Sequence, residues 1–243
     1  MKSSNTDYGT VKIGRTNELF SRMVELIEEG ASTKSDNFTV GLTGGATPIA
    51  FYNWVVNCKA FSETVLEKTV WSVSDERRVS LESHESNFGN ADRVLLRPLE
   101  VHPQRKLPWP VILDPHSAVS IFQRKFHERY GANKAFDLCF LGMGTDGHTA
   151  SIFPGSPLMA IESGDHFAPV DVPEKGWRFS ITPDGLRACG KIVVVVTGAS
   201  KLHRLKKVLE GPEKQLYPIQ ILSRFPDKVE WLVDEEAGDL LTL

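Results

Sequence analysis

Five β-branched residues in succession, Ile-Val-Val-Val-Val at 192–196, constrain this chain more than any other stretch. Valine and isoleucine are stiff at χ1 and suit a pleated surface better than a helix. With no polar residue alternating in the run, neither face of the strand can meet water. That is how a strand reads when it lies inside a parallel sheet covered on both faces.

Other segments fit such a sheet. Residues 38–42 (Phe-Thr-Val-Gly-Leu), 69–74 and 136–141 read as strands, and 167–172, 177–181 and 229–233 as further short ones. Between them, Leu19, Phe20, Met23, Val24, Leu26 and Ile27 recur at helical spacing, with Gly30 able to close that helix. Thr47-Pro48 reads as a cap and first residue of a helix through Phe51, Trp54 and Val55. Residues 86–96 look helical and stop before Pro98. Asp114-Pro115 caps a helix carrying Phe122, Phe126 and Tyr130 and ending at Gly131. A short helix or turn is expected at Pro183, and another helix over 201–209. The apolar runs 219–222 and 229–233 finish the chain. Strands alternating with helices predict an α/β fold, a mostly parallel open sheet with helices on both faces. With no repeat and no convincing linker, residues 10–243 are expected to form one domain, preceded by a loose tail over residues 1–9.

Composition excludes several classes. The net charge of -3, without long runs of one sign, argues against a nucleic-acid partner. No apolar run approaches about 18 residues, so no membrane span is expected, and the polar first nine residues lack a signal core. Cys58, Cys139 and Cys189 are widely spaced and odd in number, which suits reduced thiols in the cytoplasm better than a disulfide frame or zinc site.

The chemistry concentrates at residues 136–157. A strand runs into Gly142-Met-Gly144-Thr-Asp146-Gly147-His148-Thr149. In an open α/β sheet, such strand exits are where ligands bind. Gly142, Gly144 and Gly147 match a dinucleotide fingerprint, and Glu162 follows Gly142 by twenty residues. That fingerprint needs a long helix after the turn and an acid at a strand end. Pro154 and Pro157 break any such helix, and Glu162 sits in a polar stretch, so no nicotinamide cofactor is expected. His148 is a candidate general base with Asp146 to orient it. Neither a metal nor a Gly-x-Ser-x-Gly nucleophile is indicated. The other six histidines read as ordinary loop or helix-surface residues.

Two more strand exits bear on an anion. Thr43-Gly44-Gly45-Ala46-Thr47 leads into a helix, so its amides and the helix N-terminus can cradle a phosphate; it reads equally as a plain turn. It lacks the Gly-Lys-Ser/Thr of a nucleoside triphosphate loop. Gly198-Ala-Ser200-Lys201 brings one cation, either a phosphate ligand or a solvated lysine. Asp75-Glu76-Arg77-Arg78 is a charge run in which Glu76 or Arg78 is expected in solvent. Asp75 and one arginine are candidates for the cleft, the arginine to grip an anion or steady an oxyanion.

Residues 142–155, Gly-Met-Gly-Thr-Asp-Gly-His-Thr-Ala-Ser-Ile-Phe-Pro-Gly, closely resemble the signature of the 6-phosphogluconolactonase family. Residues 41–48, 71–77, 85–89, 178–182 and 198–201 are similar to that family's other blocks, in the same order. Thr145 stands where the family usually has proline. The resemblance covers roughly residues 15–235. It implies the Rossmann-like fold of the glucosamine-6-phosphate deaminases, which belong to the same superfamily. It also implies hydrolysis of 6-phospho-D-glucono-1,5-lactone in the oxidative pentose phosphate pathway, without a cofactor.

By that resemblance, Thr43 to Thr47, Lys201 and Arg178 would hold the substrate phosphate, with Asp75 a further substrate ligand. His148 would activate water and then protonate the ring oxygen, Asp146 would tune it, and Arg77 would stabilise the oxyanion or grip sugar hydroxyls or the phosphate. Deaminases of the superfamily carry a glutamate at the position of Phe153, so their proton chemistry fits less well. A non-catalytic sugar-phosphate sensor is the third reading, and no helix-turn-helix fits before the first strand. The expected partner is a small sugar-phosphate lactone, with the protein a monomer or weak homo-oligomer.

Overall fold

The computed structural model describes residues 1–35, 37–160, 164–212 and 216–243. The chain opens with β1 (Lys2–Thr6), β2 (Gly9–Gly14), α1 (Thr16–Thr33), β3 (Phe38–Leu42), α2 (Ala46–Cys58), α3 (Glu63–Lys68), β4 (Thr69–Val73) and β5 (Asp75–Arg77). It continues through α4 (Asn87–Ala91), α5 (Pro115–Tyr130), β6 (Leu138–Gly142), β7 (Phe167–Val172), β8 (Gly176–Ile181) and α6 (Pro183–Ala188). The last elements are β9 (Lys191–Val196), α7 (Leu202–Glu210), β10 (Val229–Asp234) and α8 (Glu235–Gly238).

The main sheet has the order β1-β2-β10-β9-β6-β3-β4. Every pairing in it is parallel except β1 with β2. All five residues of β3 and of β4, and all six of β10, are buried, so both faces of the sheet are covered. The run 192–196 lies in β9, between β10 and β6. The mostly parallel α/β architecture therefore matches the expectation.

Several local expectations are corrected. Residues 2–6 are not a loose tail: β1 pairs antiparallel with β2 from Lys2 opposite Ile13 to Thr6 opposite Gly9. Its residues are polar because an edge strand is held by backbone bonds and needs no apolar face. Helix α1 passes through Gly30 to Thr33; Gly30 is a packing position rather than a stop, since a Cβ there would overlap the phenyl ring of Phe38. The apolar run 219–222 forms a 3₁₀ segment (Pro218–Arg224), opened by Pro218. Helix α2 is capped by Gly45 at φ 113° rather than by Thr47, whose hydroxyl meets that of Thr197 at 2.5 Å. Glu162 lies outside the described residues.

A second sheet, antiparallel in the order β5-β8-β7, was not foreseen. The charged residues 75–77 form its edge, with Asp75 opposite Ser180 and Arg77 opposite Arg178. Trp109 fastens this layer to the main sheet. Its indole stacks on Phe122 of α5 at 3.8 Å and Phe179 of β8 at 5.4 Å, and its Nε1 donates to the Val73 carbonyl at 3.2 Å.

At the other side, Glu230 on β10 is buried among Lys12, Arg22 and Lys191, each within 3.0 Å. Burial alone would raise its pKa, but Arg22, Lys191 and Lys12 overcome that and hold it at about 2, below the ordinary 4.5. A depressed carboxylate contributes stability that is complete above its ordinary pKa and fades as pH falls through the folded value. The difference in urea midpoint between the wild type and Glu230→Gln should therefore be full above pH 4.5 and close as pH approaches about 2. A difference that stays constant across that range would contradict this.

Candidate functional site

Four strand exits meet at one edge of the main sheet because β3, β4, β6 and β9 run parallel. They enclose a cleft of about 230 Å³ lined by Thr43, Gly44, Gly45, Asp75, Arg77, Asn87, Gly142, Met143, Gly144, His148, Ala150 and Lys201. A larger hollow of about 740 Å³ lies between the two chain ends, among residues such as Met1, Arg15 and Glu235, and no histidine lines it.

The turn after β6 is wound tightly enough to place two side chains on each other. The Gly144 amide donates to the His148 carbonyl at 2.9 Å and the Gly147 amide to the Gly144 carbonyl at 3.0 Å, with Gly147 at φ 83°. Asp146 Oδ1 then accepts from the His148 backbone amide at 3.1 Å and meets its ring Nδ1 at 2.6 Å. Burial alone would raise the Asp146 pKa, but the amide and ring of His148 hold it below its ordinary value. An ionised carboxylate on Nδ1 requires the proton there, which leaves Nε2 as the basic nitrogen. Nε2 has no partner among the described residues.

Three contacts brace the turn from outside. Arg204 Nε donates to the Thr145 carbonyl at 2.7 Å, the Ile219 amide to the Gly147 carbonyl at 3.1 Å, and Tyr217 packs against Gly147. Thr145 thus keeps its place without the rigidity of proline. The Phe153 ring stacks on His148 at 4.2 Å and 28°, with the Lys175 ammonium 4.4 Å from the Phe153 centroid.

The opposite wall is the 43–47 loop. The buried phenol of Tyr52 donates to the Thr43 carbonyl at 2.9 Å, which fixes the loop. A Cβ on Gly44 would overlap the Asn87 side chain, so glycine lets the backbone pass close. Lys201 closes the wall. It is half-buried, and its ammonium makes no hydrogen bond or ion pair among the described residues. Burial lowers its pKa, against the pull of Asp146.

The structure thus brings His148, Asp75, Arg77, Thr43, Gly44, Gly45 and Lys201 to one cleft. Ala46, Thr47, Asp146 and Arg178 lie behind the lining. Asp146 acts on His148, Thr47 bonds Thr197, and Ala46 is the first residue of α2. Arg178 stands opposite Arg77 in the second sheet with its Nε buried and unpartnered; burial, then Arg77, lower its pKa. Arg77 rather than Arg78 faces the cleft, one of its amines donating to the Glu85 carbonyl.

Glu76 is not solvated. It is fully buried and accepts from Ser86 Oγ and from the amides of Arg77, Asn87 and Phe88 at 2.7–2.9 Å. His166 is also buried, 3.0 Å from His127. Asn87 and Ser151 were missed as site residues. Asn87 donates to the Asp75 carbonyl at 2.9 Å, and Ser151 Oγ to Asp75 Oδ2 at 2.8 Å. Both sit inside conspicuous blocks, but only the fold shows that they converge on Asp75.

A Cβ on Gly144 would overlap both the His148 ring and the Asp146 carboxylate. Gly144→Ala should therefore break the pair while leaving the far-ultraviolet circular dichroism unchanged. In ¹⁵N-edited NMR, the carboxylate-held Nδ1–H signal of the wild type should vanish into solvent exchange. A persisting signal would contradict the geometry.

The sequence profile of the glucosamine-6-phosphate isomerases/6-phosphogluconolactonase family matches residues 15–231. The 6-phosphogluconolactonase of Bos taurus is 29% identical over 236 residues, which cover 93% of this chain and 91% of that one. The 6-phosphogluconolactonase of Synechocystis is 31% identical over 212 residues, 84% of each chain. Among solved structures, a 6-phosphogluconolactonase from Trypanosoma cruzi is similar with TM-score 0.82 at 23% identity, covering 96% of this chain and 97% of its own. A monomeric glucosamine-6-phosphate deaminase gives 0.80 at 18% identity, covering 95% and 99%. At these identities the structural likeness speaks for the fold alone.

Proposed function

The chain belongs to the glucosamine-6-phosphate isomerase/6-phosphogluconolactonase family, and from that premise we propose that it hydrolyses 6-phospho-D-glucono-1,5-lactone to 6-phosphogluconate in the oxidative pentose phosphate pathway. The observation that carries this reading is the Asp146–His148 pair, with its basic nitrogen free beside a cleft whose far wall is a glycine loop and an unpaired lysine. The lengthwise match to 6-phosphogluconolactonases of Bos taurus and Synechocystis supports the choice of substrate.

In this mechanism the amides of the 43–47 loop, at the positive end of α2, and the Lys201 ammonium bind the 6-phosphate. The lactone ring then reaches across the cleft to His148. Nε2 takes a proton from a water as its oxygen attacks C1, and Asp146 stabilises the resulting imidazolium. The carbonyl oxygen becomes an oxyanion, toward which Arg77 supplies charge and N–H donors. Collapse of the tetrahedral intermediate breaks the bond from C1 to the ring oxygen, which keeps the electron pair and takes up a proton to become the free hydroxyl of the product. Phe153 contributes no proton, only a flat support for the imidazole. Amino-sugar phosphate deamination also moves protons at C2, and an apolar ring beside the histidine disfavours it. The three free thiols support action in a reducing cytoplasm.

His148→Ala should lower kcat roughly a hundredfold or more, the usual contribution of a general base. Lys201→Ala should raise KM about tenfold or more with a smaller effect on kcat, as expected for a lost charge-assisted hydrogen bond. Both are read as acid release from the lactone after subtraction of spontaneous hydrolysis. Near-normal turnover by His148→Ala would remove His148 from the role. Ammonia release from glucosamine 6-phosphate without lactone hydrolysis would replace the reading with deamination.

A further inference from the structure

Three of the buried acids, Glu230, Glu76 and Asp75, meet burial in three ways. Glu230 is surrounded by three cations, each within 3.0 Å. Glu76 forms no ion pair among the described residues but accepts four hydrogen bonds at 2.7–2.9 Å, enough to occupy the lone pairs of an ionised carboxylate. Asp75 has neither solution. It is 6% exposed and forms no ion pair among the described residues. Its Oδ2 accepts from Ser151 Oγ at 2.8 Å, and its Oδ1 has only a 3.4 Å contact from Asn87 Nδ2. An ionised carboxylate so poorly provided for is costly to bury. Yet Asp75 is the one of the three that lines the cleft with His148.

Lactone hydrolysis has a place for a neutral carboxyl group there. The ring oxygen leaves C1 as an alkoxide, a strong base, unless it receives a proton as the bond breaks. His148 has just taken a proton from water on the attacking side. A second group that carries its own proton removes the need for one imidazole to serve both positions.

We propose that Asp75 is the general acid of the reaction, protonated on Oδ1 in the resting protein and donating that proton to the departing ring oxygen. The inference rests on the lactone-hydrolysis reading and adds the second acid–base group to it. The bond from water oxygen to C1 forms while His148 Nε2 takes the water proton. The bond from C1 to the ring oxygen then breaks, its electron pair stays on that oxygen, and the Asp75 proton binds it. The products are a free hydroxyl and a carboxylic acid, which releases its proton to solvent. The imidazolium proton returns to Asp75 through solvent and restores both groups. No oxidant or further reactant is needed.

Charged and titratable neighbours face Asp75 from several elements. Burial raises its pKa; the Ser151 hydroxyl and the charges of Arg77, Arg178 and His148 pull it down without cancelling that rise. The buried Cys139 thiol also lies within electrostatic reach. A carboxyl group held neutral by an apolar site can act as a proton donor near neutral pH.

The test is the pH profile of kcat for the wild type, Asp75→Asn and Ser151→Ala, background-corrected, with ¹³C NMR titration of the Asp75 carboxyl. The wild type should lose activity as pH rises through the elevated Asp75 pKa, because the donor is then ionised. Asp75→Asn should lower kcat roughly a hundredfold, the scale of a lost general acid, and abolish that alkaline limb. Ser151→Ala removes a bond that favours the ionised form, so it should move the limb to higher pH; a merely structural role for Asp75 predicts no such shift. An Asp75 carboxyl that titrates in the ordinary range, or an alkaline limb unchanged in Asp75→Asn, would overturn the inference while leaving lactone hydrolysis standing. A wild type that does not hydrolyse the lactone at all would overturn both.

Discussion

Parallel alignment of β3, β4, β6 and β9 is the constraint from which the cleft follows. Parallel strands all end on the same edge, so the segments leaving them must turn within a few ångströms of one another. Each exit brings a different group: amides after β3, an acid and an arginine after β4, a histidine after β6 and a lysine after β9. These residues are far apart in sequence, and no local preference assembles them. The sheet does so, and its strands stay parallel because burial on both faces leaves the apolar runs no exposed alternative.

The site then depends on how charge is treated once water has been excluded. Asp146 remains partly exposed and keeps two bonds to His148, so it stays ionised and holds the ring in one tautomer. Lys201 is half-buried with no counter-ion among the described residues, which leaves its charge available to an anionic ligand. Asp75 is buried deeper with fewer donors, which favours its neutral form. The site thus combines an ionised acid behind the cleft, a buried acid in it whose surroundings favour the neutral form, and a cation unpaired among the described residues, separated by differences in exposure and in hydrogen-bond supply.

The parallel core and the position of His148 are legible in the sequence because each depends on local pattern. Five β-branched residues in a row can hardly form anything but a buried strand, and glycines around a histidine after such a strand mark an exposed turn. Features governed by distant contacts are not legible in this way. Glu76 looks like part of a solvated charge run, yet it is buried and accepts from the Arg77 amide and, at the start of α4, from a serine hydroxyl and two backbone amides. Residues 2–6 look like a polar tail, yet β2 offers them an unpaired backbone edge. Gly30 looks like a helix stop, but it is a flat place on which the Phe38 ring rests. The short second sheet escapes for the same reason: residues 75–77 gain a strand partner only when β8 folds back on them.

The orientation of substrate across the cleft is the central claim, and a crystal structure with bound 6-phosphogluconate measures it most directly. The phosphate should lie on the amides of the 43–47 loop within reach of Lys201. The C1 carboxylate should lie between His148 Nε2 and Arg77, with the C5 hydroxyl toward Asp75. A ligand bound the other way round, with its phosphate at His148 and its carboxylate on the glycine loop, would contradict the account.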